Sequence, residues 1–229
     1  MTPSPPAREV VHDDALAWLR AHPALPGASL VTSLPDVSEL GLGAEQWRAF
    51  FAEAARLCLQ ATPPEGLTIF FQTDNRVDGR WVSKAGLVLA AAAELEVPVL
   101  WHKVVCRRPP GTRLSGRPGF SHLLAFSRLA TVPAERSSPD VLPGLGELPW
   151  SHSMGLAAAE EALATIQLAS PGTRVVLAPF CGIGTVLAVA NRHGLDAIGI
   201  ERNRKRAERA RIFCLEDAPQ APARPGPAG

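Results

Sequence analysis

Short apolar runs alternate with longer amphipathic stretches along most of the chain. Arg8–His12 is a short β-branched run, Ala15–Arg20 a short helix, and Ser29–Ser33 (SLVTS) a buried strand that the polar, proline-containing stretch Ser33–Asp36 ends. Ala44–Gln60 carries Trp47, Phe50, Phe51, Ala54, Leu57 and Cys58 at helical spacing, which predicts an amphipathic helix. Leu67–Gln72 reads as a strand, Ser83–Glu96 as a helix rich in Ala and Leu, and Val97–Val105 and His122–Ser127 as strands joined by the Pro/Gly/Arg loop Cys106–Gly119. After the irregular, proline-rich stretch Thr131–Pro149 the alternation resumes. Met154–Ala169 is a helix, Arg174–Leu177 a strand, Thr185–His193 a helix stopped by Gly194, Ala197–Ile200 a strand, and Asn203–Leu215 a basic helix.

Strands separated by helices predict an α/β fold with a mostly parallel, doubly wound sheet of seven strands. Val97–Val105 and His122–Ser127 lack a crossover helix between them, so they form an antiparallel hairpin within that sheet. In such sheets ligands bind beyond the C-terminal ends of the strands. Length fits this picture: 229 residues, 46% hydrophobic, make one α/β domain. Its expected bounds are 8–216, with 8–130 as one half, 131–150 as a linker and 151–216 as the other half; 1–7 and 217–229 read as disordered tails. Four scattered cysteines without a C-x-x-C pair argue for reduced thiols in a cytoplasmic protein, and no metal-ligand spacing is present. No apolar run reaches the roughly 18 residues of a membrane helix, so no membrane partner is expected.

The most informative stretch is Arg174–Arg202. A buried strand runs into Gly182-Ile183-Gly184, a helix starts at Thr185, and a second strand ends in Glu201. Glycines let the backbone turn sharply and approach a ligand, and an acid at the end of the second strand accepts hydrogen bonds from ribose hydroxyls. The unit therefore reads as a nucleoside-binding half. A dinucleotide fingerprint would need a third glycine where this chain has Leu187, which counts against a nicotinamide cofactor.

The segment A-P-F-C-G-I-G-T resembles the D-P-F-x-G-x-G-T loop of the amino methyltransferases that modify nucleic-acid bases. In their permuted subgroup the catalytic segment precedes this loop, as it does here. The resemblance spans about Glu9 to Arg211 and implies a class I, Rossmann-like methyltransferase fold with permuted motif order and S-adenosyl-L-methionine as cofactor. It places Pro179, Phe180, Gly182, Gly184, Thr185 and Glu201 at the cofactor. V-H-D-D-A-L-A-W-L resembles the strand ending in an Asp at the adenine ring, which makes that residue Asp14. A-S-L-V-T-S-L-P-D resembles the strand ending in the catalytic S-P-P-Y, which assigns catalysis to Ser33 and Asp36. The family's Asp before Pro-Phe is Ala178 here, and its stacking aromatic is replaced by Asp36. Ser33 and the Leu34 carbonyl can still accept hydrogens from a target amino group, while Asp36 can accept a hydrogen bond or a proton.

Charge adds a substrate expectation. The net charge is only +1, yet Val97–Ala134 holds Lys103, Arg107, Arg108, Arg113, Arg117 and Arg128 and no acidic residue. Lys103, Arg107, Arg108, Arg113 and Arg117 are the candidate phosphate-holding residues, against the plainer reading of solvated arginines. The expected activity is S-adenosylmethionine-dependent methyl transfer to a base in nucleic acid. RNA is favoured over DNA because no separate recognition domain is visible. The rivals are a methyltransferase for a small molecule or protein, a catalytically degenerate cofactor-binding protein, and a nicotinamide oxidoreductase.

Overall fold

A computed structural model describes residues 5–77, 79–113 and 118–215. In chain order the elements are β1 (Arg8–Val11), α1 (Ala15–Ala21), β2 (Ala28–Thr32), α2 (Val37–Leu40), α3 (Ala44–Ala61), β3 (Thr68–Gln72), β4 (Asn75–Val77), β5 (Arg80–Val82), α4 (Lys84–Glu94), β6 (Val99–Cys106), β7 (Phe120–Phe126), β8 (Val141–Leu142), α5 (Leu156–Ala169), β9 (Val175–Pro179), α6 (Thr185–Arg192), β10 (Asp196–Ile200) and α7 (Arg204–Ile212).

The main sheet has the order β1-β10-β9-β2-β3-β7-β6-β8. Neighbours are parallel from β1 to β3, β7 runs antiparallel to both β3 and β6, and β8 is parallel to β6. The expected hairpin is therefore present, with β7 inserted between β3 and β6. Strand β9 lies beside β2, with Leu177 opposite Leu30, 147 residues away in sequence. This pairing joins the Gly182 loop to the Ser33 segment.

Alternate residues of the central strands feed two apolar layers, as the pleat requires. Val31, Ile69, Leu123, Ala125, Val176 and Ala178 pack on the side covered by α5, α6 and α7. Leu30, Phe70, Leu124, Phe126 and Leu177 pack on the side covered by α1, α3 and α4. Every residue of β2 and β3 is buried, which explains why they read as continuous rather than alternating strands.

The structure departs from the sequence expectation in four places. Among the described residues the main sheet has eight strands rather than seven, because Val141–Leu142 within the stretch read as a linker pairs with β6. A separate hairpin, β4–β5, rises between β3 and α4. Gly79 precedes β5 at φ +74°, a conformation that suits glycine, but the polar Asn-Arg start of β4 hid the hairpin. A single turn, α2, starts immediately after Asp36. Finally, Ala7 is not part of a loose tail: its N–H donates to Asp196 Oδ1 at 2.7 Å and its carbonyl accepts from Ala197 N–H at 2.9 Å. The expected tails over residues 1–4 and 217–229 lie outside the described residues. Among the described residues no helix is long and apolar enough to cross a membrane.

Candidate active site

The C-terminal ends of β1, β10, β9 and β2 border an open cleft. The loop after β9 forms its floor. Phe180 (φ +62°), Gly182 (φ +60°) and Gly184 (φ +91°) all occupy the left-handed region, so the chain reverses within five residues and starts α6 at Thr185. The two glycines do different work. A Cβ on Gly182 would stand 3.2 Å from the Trp150 ring at the cleft, whereas one on Gly184 would meet the Ala210 backbone at 3.0 Å. Gly184 thus lets α6 abut α7 and does not line the cleft, unlike the other residues assigned to the cofactor.

Glu201 ends β10 and is buried. Its carboxylate accepts from Gly182 N–H at 3.1 Å and from Asn203 N–H at 2.7 Å, pinning the loop to the neighbouring strand. Burial, with the Glu201 charge beside it, pushes the Cys181 thiol up to about 12. Asp14 caps α1, one oxygen accepting from Leu16 and Ala17 N–H at 3.0 Å each, and it lines the same cleft. Thr185 is 5% exposed, faces the cleft, and its Oγ1 has no hydrogen-bond partner among the described residues. Thr32 Oγ1 donates to the Pro179 carbonyl and ties the ends of β2 and β9 together, which brings Ser33 to the cleft. Ala178, at the position of the family's Asp, is buried and apolar.

A wall of the cleft came from a segment the sequence reading assigned no role. Trp150, His152, Ser153 and Met154 line it; Arg206 lies 4.9 Å from the Trp150 ring and His152 4.7 Å. Phe50 also lines it and packs edge-on against Phe180 at 6.1 Å. The available signal was the cluster Trp-Ser-His-Ser between a proline-rich stretch and a helix.

A smaller pocket adjoins the cleft and shares Ser33, Leu34, Glu39, His152 and Ser153 with it. Its far side holds Asp36, Gln72, Thr73, Lys84 and Arg107. Asp36 pairs with Lys84 Nζ at 3.3 Å and accepts a hydrogen bond from Asn75 Nδ2. Burial lowers the Lys84 pKa and the Asp36 charge opposes that shift. Through these two contacts Asp36 joins the start of α2 to α4 and to β4. The Pro35 carbonyl is taken by Trp47 Nε1 at 3.1 Å.

The basic stretch divides. Arg107 lines the smaller pocket and donates to Thr73 Oγ1 at 3.4 Å. Arg108 and Arg113 are exposed on the loop after β6 and line neither cavity. Lys103 does not belong with them. It is buried, donates to the Ser138 and Pro139 carbonyls at 2.8 and 3.0 Å, pairs with Glu161 at 3.6 Å, and lies 5.1 Å from the Trp101 ring centre. These partners hold it against the 138–139 segment and α5, and it does not line the smaller pocket. Arg117 lies outside the described residues.

No protein-family model matches the chain, and no curated protein matches its sequence. Solved structures do match in fold. A chain named as a putative DNA modification methylase from Thermus thermophilus, complexed with S-adenosyl-L-methionine, is 20% identical, with 89% of this chain and 91% of that chain covered and a TM-score of 0.67. The cytosine-N4-specific PvuII DNA methyltransferase is 16% identical over 92% of this chain and 90% of that one, with a TM-score of 0.65. The M1.HpyAVI–SAM complex is 16% identical over 89% and 97%, with a TM-score of 0.61.

Proposed function

From a chain with the class I methyltransferase fold, we propose an enzyme that transfers a methyl group from S-adenosylmethionine to an amino group of a base in DNA. One observation carries this reading. The β9–β2 pairing gathers Asp14, the Gly182 loop, Glu201 and Ser33 around one cleft although they come from both ends of the chain. The donor set fits the cofactor. Glu201 offers a fixed carboxylate to two ribose hydroxyls, and Asp14 and Phe180 offer a polar edge and an apolar face for the adenine. The unpartnered Thr185 hydroxyl and the amides at the start of α6 suit the amino-acid carboxylate.

When bound, S-adenosylmethionine supplies a methyl group already activated by a sulfonium. The chain then has to position, desolvate and manage a proton. Ser33 and the Leu34 carbonyl, at the junction of the two cavities, hold the acceptor amino group. Lys84 and Asn75 fix Asp36 beside them, so the loop keeps one shape. Arg107 lies at the smaller pocket, and Arg108 and Arg113 on the loop outside it supply phosphate contacts.

DNA replaces the sequence-based preference for RNA. That preference rested on the absence of a separate recognition domain in the sequence, yet the PvuII enzyme, named as a DNA methyltransferase, is covered over 90% of its own chain. Residues 8–215 act as one unit, in the cytoplasm, where the four cysteines remain thiols. The test is mass spectrometry of nucleosides from DNA and RNA incubated with the protein and methyl-labelled S-adenosylmethionine. Label in an amino-methylated base of DNA is expected. Label confined to RNA, or to a small molecule, would replace the acceptor.

A further inference from the structure

One residue that lines the smaller pocket carries a buried polar atom without a partner among the described residues. Gln72 ends β3, is 1% exposed, and its Nε2 makes no hydrogen bond among the described residues. Its neighbours are engaged: Asp36 with Lys84 and Asn75, Thr73 with Ser121 at 2.6 Å and with Arg107. A buried N–H donor left unpaired destabilises the fold, so a residue that keeps one at a pocket wall marks where a ligand acceptor fits. Strands β2 and β3 run parallel with Thr32 opposite Phe70, and so deliver Ser33 and Gln72 to the same end of the sheet and the same pocket.

We infer that Gln72 is a specificity-determining residue for the acceptor, a reading that rests on the methyl transfer proposed above. Gln72 Nε2 donates to a ring nitrogen next to the amino group that Ser33 holds. The pocket therefore selects a base whose amino group is flanked by a hydrogen-bond acceptor, as N3 flanks it in cytosine and N1 in adenine. An apolar substitute for Gln72 relieves the unpaired donor in the empty protein and removes the recognition.

The experiment uses the full chain and DNA oligonucleotides in which the methylated base, cytosine or adenine, is replaced by its 3-deaza or 1-deaza analogue, where the ring nitrogen becomes CH. With wild-type protein kcat/KM is expected to fall by about 10- to 100-fold on the analogue, as for losing one good hydrogen bond to a base edge. Gln72→Leu should show the same fall on the parent base and no further fall on the analogue. It should keep its affinity for S-adenosylmethionine and a melting temperature at or above that of wild type. A deaza penalty that persists in Gln72→Leu, or wild-type activity in that variant, overturns the inference and leaves the proposed function standing. So does a lower melting temperature with weakened cofactor binding, which would make Gln72 a structural residue. Transfer to neither base by wild-type protein would remove the proposed function, and this inference with it.

Discussion

The two cavities sit side by side and are built differently. The larger one rests on consecutive sequence: a strand, five loop residues with three positive φ angles, a helix start, and an acid at the next strand end that accepts from the loop's own backbone. The smaller one rests on side chains from distant places, with Asp36, Asn75 and Lys84 converging from three elements and Gln72 and Arg107 from two more. Such a network is stable only when complete. The cofactor side should therefore tolerate damage to the acceptor side, while the acceptor side should fail by single substitutions.

Glu201→Ala should have the largest effect. It removes the acceptor for two backbone amides together with the expected ribose contacts. S-adenosylmethionine affinity measured by calorimetry should fall about 100-fold, roughly 2.7 kcal/mol. Asp36→Asn should leave that affinity within about threefold; equal losses in both variants would erase the contrast between the cavities.

Asp36→Asn and Lys84→Met should each cost about 2–3 kcal/mol in a denaturant titration, because each strands its partner in a largely buried pair with exposures of 5% and 19%. The double variant should cost clearly less than the sum. Additive losses would mean that Asp36 and Lys84 do not act as a pair. Methyl transfer should fall in both single variants, with cofactor binding retained.

How the two regions read in the sequence follows from the same difference. The β9–α6–β10 unit was legible because its chemistry lies within 30 residues and depends on glycines and strand ends. The motif order, with the catalytic segment ahead of the cofactor loop, was legible as well, and the β9–β2 pairing joins the two segments. The hairpin β4–β5 and the short strand β8 were not legible, since their residues lack apolar alternation and gain their place from tertiary pairing. Lys103 was misplaced because it lies inside β6, where the Ser138 and Pro139 carbonyls and Glu161 take up its ammonium, whereas Arg107, Arg108 and Arg113 lie on the loop beyond the strand. Trp150 and His152 were passed over because their roles arise only when the 149–154 segment meets Gly182 and Arg206.

Acid should loosen the acceptor side in a defined window. Asp74 is buried, which alone would raise its pKa, but hydrogen bonds from His122 and Trp81, the His122 charge and the Ala85 amide pull it down to about 2. It holds the start of α4, accepting from Lys84 N–H at 2.8 Å and Trp81 Nε1 at 2.8 Å. A depressed carboxylate contributes stability above its ordinary value of 3.8, and that contribution is lost as pH falls toward about 2. Melting temperature should drop through that interval, and the Asp74→Asn variant should show a shallower drop there.

The smallest effect belongs to the exposed arginines. Arg108→Ala with Arg113→Ala should lower the salt dependence of DNA binding by about two counterions and leave cofactor affinity unchanged. Lys103→Met should not change that slope, since its ammonium is bound to the Ser138 and Pro139 carbonyls.

The central claim is that the cleft at the ends of β9, β10 and β1 is an S-adenosylmethionine site. Calorimetric titration of the wild-type protein with S-adenosylmethionine and, separately, with nicotinamide dinucleotides tests it most directly. The account predicts one site per chain with roughly micromolar affinity for S-adenosylmethionine, about −8 kcal/mol, and no heat with the dinucleotides. Dinucleotide binding with no S-adenosylmethionine binding would contradict it.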